Sequence, residues 1–512
     1  METLKLLFKN NSEGIYCADK STEMDLYEQF SFFVPGYYFM EKYKRGIWDG
    51  KIRLINIKNH TFPIGLTNHI IRWGKENNVF VDIDEKLSNI FKTKDDDIMD
   101  FFKKFKFYSK KKEIFPRDDQ LYAVKRAITN TRVINICPTS FGKSLSIFLQ
   151  ILWNIHNGRK SVIIVPTTDL VLQFKDDIED YCTNEEGKIE HWMPIIQTLY
   201  SGQSKILNSE TDVLITTWQS LYKMDKNFIN QFDSIILDEA HKSAAVSIKK
   251  IFDDAETVKY RTGWTGSLNK DTIPALQAEA LIGEIEIITD TATLMEQGVV
   301  ADLKIIYTKL NYKNSIREKF HKLLYKDEIT LLEKLPERNE KIIKIANSIN
   351  CTGLILFSHI KHGECLYKLA RKTFPEKNIY MIHGTSVLFN DKKYKNYEEL
   401  KEQIENEKNA ILICSYGKFS TGVSIKNINW LIFAIPTKSF VRVIQSVGRT
   451  LRVSSKKRKA VVIDIIDDMT FKGKKSEIKE NHAFKHFRER FSIFSKQKFK
   501  YEMKNINMNI EV

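Results

Sequence analysis

Short apolar runs and amphipathic stretches alternate along most of this chain. Largely apolar runs at residues 133–137, 161–165, 212–215 and 234–237 each stop abruptly at small or polar residues, and apolar positions three or four apart follow. Short runs rich in Val and Ile predict strands buried on both faces, and the spacing between them predicts helices. Strand and helix in alternation predict a doubly wound parallel sheet over residues 113–305. The pattern returns at 353–357, 379–384, 410–414 and 430–434, predicting a second such sheet over 306–472. Residues 1–112 mix shorter elements and end in a Lys- and Phe-rich connector, predicting a small α+β domain with a basic, solvated link. Within 473–512, Phe484, Phe487, Phe491 and Phe494 recur at helical spacing, which predicts a short helical C-terminal tail whose aromatic stripe docks onto the second sheet.

The polar residues that end these runs carry the chemistry, because ligands of doubly wound sheets bind beyond the carboxyl ends of the strands. The first run breaks into Pro138, Thr139, Ser140, Phe141, Gly142, Lys143 and Ser144. A turn of small residues ending in Gly-Lys-Ser and opening a helix surrounds phosphates with backbone N–H groups; Lys143 reaches the β- and γ-phosphates and Ser144 holds Mg²⁺. Cys137 stands where the full phosphate-loop pattern has a glycine. The fourth run ends in Asp238, Glu239, Ala240 and His241. There Asp238 would share the Mg²⁺ with Ser144, and Glu239 would orient and deprotonate the attacking water. In the second region, Gln445, Gly448, Arg449 and Arg452 fall along one helix face. The two arginines could stabilise charge at a γ-phosphate.

Composition narrows the partners. The chain of 512 residues has a formal net charge of +15 and 12% aromatic residues, so charge and stacking surface are both present for a polyanion. Aromatic and basic residues interleave in the N-terminal region, where Tyr37, Tyr38, Tyr43 and Trp48 lie among Lys42, Lys44, Arg45, Lys51 and Arg53. Asp49-Gly50 predicts a tight hairpin turn there, with Trp48, Lys51 and Arg53 as nucleic-acid contacts or as part of a small core. The six cysteines form no C-x-x-C pair, which indicates neither zinc nor a disulfide framework and suits a reducing cytoplasm. The N-terminus lacks the form of a secretory signal, and no apolar run is long enough to span a bilayer. Glu477-Ile478-Lys479 has the spacing of some nuclease sites, without a domain around it to support that chemistry.

Taken in order, these motifs resemble the two RecA-like lobes of helicase superfamily two. The resemblance implies that Arg117 and Gln120 read adenine, that Thr139 to Ser144 and Asp238 to His241 form the nucleotide motifs, and that Gln445 to Arg452 form the arginine-bearing one. It also implies that His241, Thr265 and Ser267 couple hydrolysis to movement, and that Ser420 to Ser424 form a strand-side motif. A closer similarity is to the UvsW-type recombination helicases of tailed phages, carried by Trp48 to Leu54, by Pro166-Thr167-Thr168 and by Ser415 to Gly422.

That resemblance implies two tandem RecA-like lobes, a small N-terminal domain and a helical tail. It further implies an ATP- and Mg²⁺-dependent DNA helicase acting in the host cytoplasm on branched or partly single-stranded DNA, including Holliday junctions, stalled forks and RNA–DNA hybrids. Nucleotide is expected between the lobes, and Thr167, Thr168, Gly202 and Thr217 of the first lobe and Ser358 and Thr421 of the second are expected to grip the strand. Phage or host recombination and single-strand-binding proteins are the expected protein partners, with no membrane. An RNA remodeller, a restriction-type translocase subunit and a binding protein with a decayed ATP site are the rival readings.

Overall fold

The structure is a computed structural model that describes residues 3–90, 98–266, 268–320, 322–384, 386–395, 397–421, 428–436, 459–472 and 478–508. It divides into two compact units, one of residues 1–137 with 142–289 and one of 138–141 with 290–512.

In the first unit, a four-stranded sheet in the order Thr61–Pro63, Glu13–Cys17, Thr3–Phe8, Phe80–Ile83 carries the N-terminal region. Leu4 and Leu6 alternate inward from the strand Thr3–Phe8 and pack with Tyr16, Leu26, Phe62, Ile70 and Trp73. This core runs on into the helix Ile273–Leu281, where Leu276 and Ala280 join it. Gly65 allows the approach, since a Cβ there would stand 1.9 Å from the Glu279 carbonyl oxygen.

The Asp49-Gly50 turn departs from the expected tight hairpin. The strand Lys51–Arg53 pairs antiparallel with Ser31–Phe33, far upstream, and residues 34–50 form a separate excursion between them. Gly50 does take positive φ (85°), but Tyr37, Tyr38 and Tyr43 pack ring on ring within the excursion and hold it open. The basic connector also has more structure than its charge suggests: Phe101, Phe102, Phe107 and Tyr108 are buried while Lys103 and Lys104 face solvent.

The main sheet of the first unit has seven strands, in the order Ile196–Leu199, Val213–Thr217, Ser161–Val165, Ser234–Asp238, Tyr260–Thr265, Arg132–Ile136, Ile285–Ile287, with every neighbour parallel. The four predicted runs all appear in it. They are readable because helices cover both faces, so no polar alternation interrupts them.

The second unit has a nine-stranded sheet, with Gly353–Phe357, Ile379–His383, Ile411–Ser415 and Trp430–Phe433 at its centre. The boundary expected at 305/306 falls inside the strand Asp302–Asn311, which belongs whole to this sheet. The tail is helical over His482–Lys496, and Phe487, Phe491 and Phe494 gather around Tyr307. It then adds an element that the sequence did not predict, an edge strand Lys500–Asn507 parallel to Asp302–Asn311. Buried ion pairs fix this end of the chain. Arg490 grips Asp464, at 2.7 Å, and Arg338 grips Asp467, at 2.8 Å.

Candidate functional site

The strand Arg132–Ile136 delivers the chain to the phosphate loop, and the helix Lys143–His156 leaves it. Ser140 and Gly142 both take positive φ, at 71° and 89°. The positive φ at Gly142 favours glycine, and a Cβ there would also displace the Gln120 side-chain nitrogen, 2.4 Å away. Gln120 is held against this turn: its side-chain oxygen accepts from the Arg117 N–H (3.0 Å) and its amide nitrogen donates to the Gly142 carbonyl (3.4 Å). Arg117 pairs with Asp119 at 3.0 Å. Cys137 is fully buried and its N–H donates to the Thr265 carbonyl at 2.9 Å. Burial pushes its thiol up to about 12, so this residue fills a packed position and is no nucleophile.

Asp238 ends the strand Ser234–Asp238, and Glu239 follows with φ of 55°. Left-handed backbone at a glutamate is uncommon and stores strain at the strand's end. Burial and the neighbouring Glu239 charge push the Asp238 carboxyl up. Burial acts on Glu239 as well, but His241 and the Lys143 charge outweigh it and hold Glu239 below the usual carboxylate range. His241 Nδ1 lies 3.2 Å from Glu239 Oε2 and 3.1 Å from Thr265 Oγ1.

Two protein donors suit magnesium, which keeps waters and takes phosphate oxygens for its other positions. Asp238 Oδ1 is buried without a hydrogen-bond partner among the described residues, as a carboxylate reserved for a cation would be. Ser144 Oγ meets the Tyr181 hydroxyl at 2.8 Å. Tyr181 had no motif to announce it, because its place beside Ser144 depends on how two helices pack.

Four of the predicted strand contacts come together in one place. Thr167, Thr168, Gly202 and Thr217 all line a single cavity of about 470 Å³ at the carboxyl ends of their strands. Sequence reasoning missed Tyr200, Gln203, Lys205, Gln219 and Lys223, which line the same cavity with polar and basic groups. In the second unit Ser358 is exposed just past the strand Gly353–Phe357. Thr421 ends the helix Tyr416–Thr421, and its side chain, like Ser267, Gln445, Arg449 and Arg452, lies outside the described residues.

At the excursion of 34–50, the polar groups of Trp48, Lys51 and Arg53 have partners within the hairpin itself. The Trp48 indole N–H donates to the Lys51 carbonyl at 2.8 Å, Arg53 is paired with Asp49, and the Lys51 ammonium sits 5.0 Å from the centre of the Phe33 ring. These three build the hairpin. Within the excursion the aromatic side chains most open to solvent are Tyr38 and Phe39, 54% and 70% exposed.

Two parallel-sheet lobes with a phosphate loop, an Asp-Glu pair and a polar cavity beside them define an ATP-hydrolysing helicase with RecA-like lobes. Residues 113–268 match the family described as "Type III restriction enzyme, res subunit", and residues 3–84 match "DNA helicase UvsW, N-terminal". The chain is 32% identical over 516 residues to the "ATP-dependent DNA helicase uvsW" of Enterobacteria phage T4, covering 99% of this chain and 100% of that protein. The crystal structure of T4 UvsW superposes with a TM-score of 0.51 at 29% identity, over 99% of each chain. A Type ISP restriction-modification enzyme, LlaBIII bound to DNA, shares the fold at a TM-score of 0.56 and 15% identity, over 78% of this chain and 32% of that one. The chain belongs to the UvsW helicase family.

Proposed function

We propose that this enzyme is a DNA-stimulated ATPase that remodels branched DNA, moving junctions and reversing forks in phage recombination and repair within the host cytoplasm. The observation that carries the reading is the first-lobe cavity, which gathers Thr167, Thr168, Gly202 and Thr217 with Lys205 and Lys223. Short hydroxyls and backbone amides beside two cations suit phosphates and sugars, so the grip is largely independent of sequence. The assignment agrees with the net charge of +15 and with the printed activity of the T4 relative.

In this reading the phosphate-loop amides and Lys143 hold the β- and γ-phosphates, and Arg117 and Gln120 hold the base. Ser144 and Asp238 would hold magnesium, which when bound would supply charge stabilisation to the phosphates. Glu239, ionised at neutral pH, accepts a hydrogen bond from water and turns its oxygen toward the γ-phosphorus; as that oxygen bonds to phosphorus and the bridging bond breaks, its proton passes to the carboxylate. Arg449 and Arg452 would neutralise the charge that develops, and Gln445 would donate a hydrogen bond beside them. His241 and Thr265 pass the change on to the strand-side residues, with Ser358 and Thr421 as the second lobe's grips. Residues 1–112 form the domain that selects branched DNA.

Steady-state ATPase of wild type and Glu239→Gln tests this, with no nucleic acid, single-stranded DNA, a four-way junction and structured RNA. The expected result is strongest stimulation by the junction and a fall of about a hundredfold or more in Glu239→Gln. Stimulation by RNA alone would assign the same lobes to RNA remodelling.

A further inference from the structure

The helix Thr168–Tyr181 begins in the strand-contact cavity and ends on the magnesium serine. At its start, the Thr167 side chain caps the helix by accepting from the Leu170 N–H, and Thr167 and Thr168 both line the cavity. At its end, the Tyr181 hydroxyl meets Ser144 Oγ at 2.8 Å, and the Tyr181 ring stacks on Phe148 with centroids 5.6 Å apart. Asp180, one residue earlier, accepts from Ser109 Oγ (3.1 Å) and from the Lys110 N–H (2.8 Å). That end therefore also holds the hairpin of Phe107–Ser109 and Lys112–Ile114, which leads into Arg117 and Gln120. One 14-residue helix, about 21 Å long, touches all three places.

The hydroxyl pair is compatible with a bound cation. When Ser144 donates its proton to the Tyr181 oxygen, the serine lone pairs stay free for the metal. Ser144 is the hydrogen-bond partner of the half-buried Tyr181 hydroxyl, so breaking the pair would cost that bond. Burial keeps that phenol protonated. Asp238 Oδ1 has no partner among the described residues, so Tyr181 rather than Asp238 sets the serine's direction.

We propose that Tyr181 is a positioning residue that ties Ser144 to the helix Thr168–Tyr181, so that a strand held at Thr167 and Thr168 tightens the grip on magnesium-bound nucleotide. By linkage, nucleotide tightens the grip on the strand by the same factor. The proposal rests on the DNA-motor reading above and adds the physical route by which DNA reaches the nucleotide.

Binding without turnover tests it, in the full chain. The Kd of a non-hydrolysable ATP analogue with Mg²⁺ is measured by calorimetry, with and without saturating oligothymidylate, for wild type and Tyr181→Phe. Phenylalanine keeps the ring and its stacking on Phe148, and thermal melting verifies that the fold is kept. Wild type is expected to bind nucleotide roughly tenfold tighter with the oligonucleotide, within the usual range of coupling between sites. Tyr181→Phe is expected to lose most of that ratio while its affinity for the oligonucleotide alone is unchanged, a split that a merely structural role would not produce. Equal ratios in the two proteins would overturn the tether and leave the DNA motor standing. A wild type whose nucleotide affinity ignores DNA would likewise overturn the tether, whereas only ATPase activity that DNA fails to stimulate would overturn the motor.

Discussion

His241 Nδ1 stands 3.1 Å from Thr265 Oγ1, joining the residue two places past Glu239 to the end of the neighbouring strand. The Thr265 carbonyl also receives the Cys137 N–H at the mouth of the phosphate loop. Thr265 thus touches both the carboxylate segment and the phosphate segment, a placement that fits the proposed relay between hydrolysis and movement. Thr265→Val keeps the volume and removes the hydroxyl. The expected result is ATPase close to wild type with about a fivefold loss of strand displacement per ATP, corresponding to the about 1 kcal/mol that a hydrogen bond contributes. Parallel ATPase and unwinding assays read the ratio; equal losses in both would refute the relay.

Metal affinity should depend on pH through Asp238. Burial beside Glu239 raises its carboxyl above the ordinary range, so in the metal-free site it keeps a proton at pH values where a solvated aspartate has lost it. A protonated carboxyl cannot hold the cation, and binding must release the proton. Affinity for magnesium nucleotide is therefore full above the raised pKa and falls as pH drops through it, by up to about tenfold per unit. Asp238→Asn should bind weakly with a flat profile, whereas Ser144→Ala should bind weakly and keep the slope. Calorimetry across about pH 5 to 8 checks this; a flat wild-type profile would remove Asp238 from the metal site.

The parts of this protein that were legible in its sequence share one property, that their spacing is fixed by something local. Strands covered on both faces leave unbroken apolar runs, so Ser161–Val165 and Gly353–Phe357 lie where the runs predicted. Phosphate chemistry fixes the order of Gly142, Lys143 and Ser144. The edge strand Lys500–Asn507 escaped because it is largely solvent-exposed on both faces and has no apolar period to read. Tyr181 escaped because its role depends on the packing of two helices distant in sequence. Trp48 and Arg53 were legible as a cluster, with nucleic-acid contact and a small core both open as its role, and only the fold shows that their polar atoms are engaged within the hairpin.

That engagement separates the aromatic residues of the hairpin by experiment. Tyr38 and Phe39 present open faces while Lys42 and Lys44 supply charge beside them. Stacking on a base contributes about 1–3 kcal/mol, so Tyr38→Ala with Phe39→Ala should weaken junction binding by roughly tenfold or more. Trp48→Phe removes the indole N–H bond to Lys51 and should lower thermal stability while changing DNA affinity less. Fluorescence anisotropy on a four-way junction, paired with melting curves, reads both. If Trp48→Phe costs more affinity than the double variant, the stacking surface lies at Trp48 after all.

The second lobe is sensitive to its buried charges. Arg490 comes from the tail helix and reaches Asp464 on the strand Lys459–Asp468, and both side chains are essentially inaccessible to solvent. The attraction is offset by the cost of taking two charges out of water, so the pair contributes less than its geometry suggests. Removing one partner is different. Arg490→Leu strands the Asp464 carboxylate in an apolar interior and should destabilise the second lobe by about 3–5 kcal/mol. Arg490→Leu with Asp464→Leu removes both charges and should recover most of that loss. The opposite order, with the double variant less stable than the single, would show that the pair binds the tail helix by direct attraction. Chemical denaturation followed by tryptophan fluorescence distinguishes these outcomes, because fully buried Trp430 lies in a strand directly beside Lys459–Asp468.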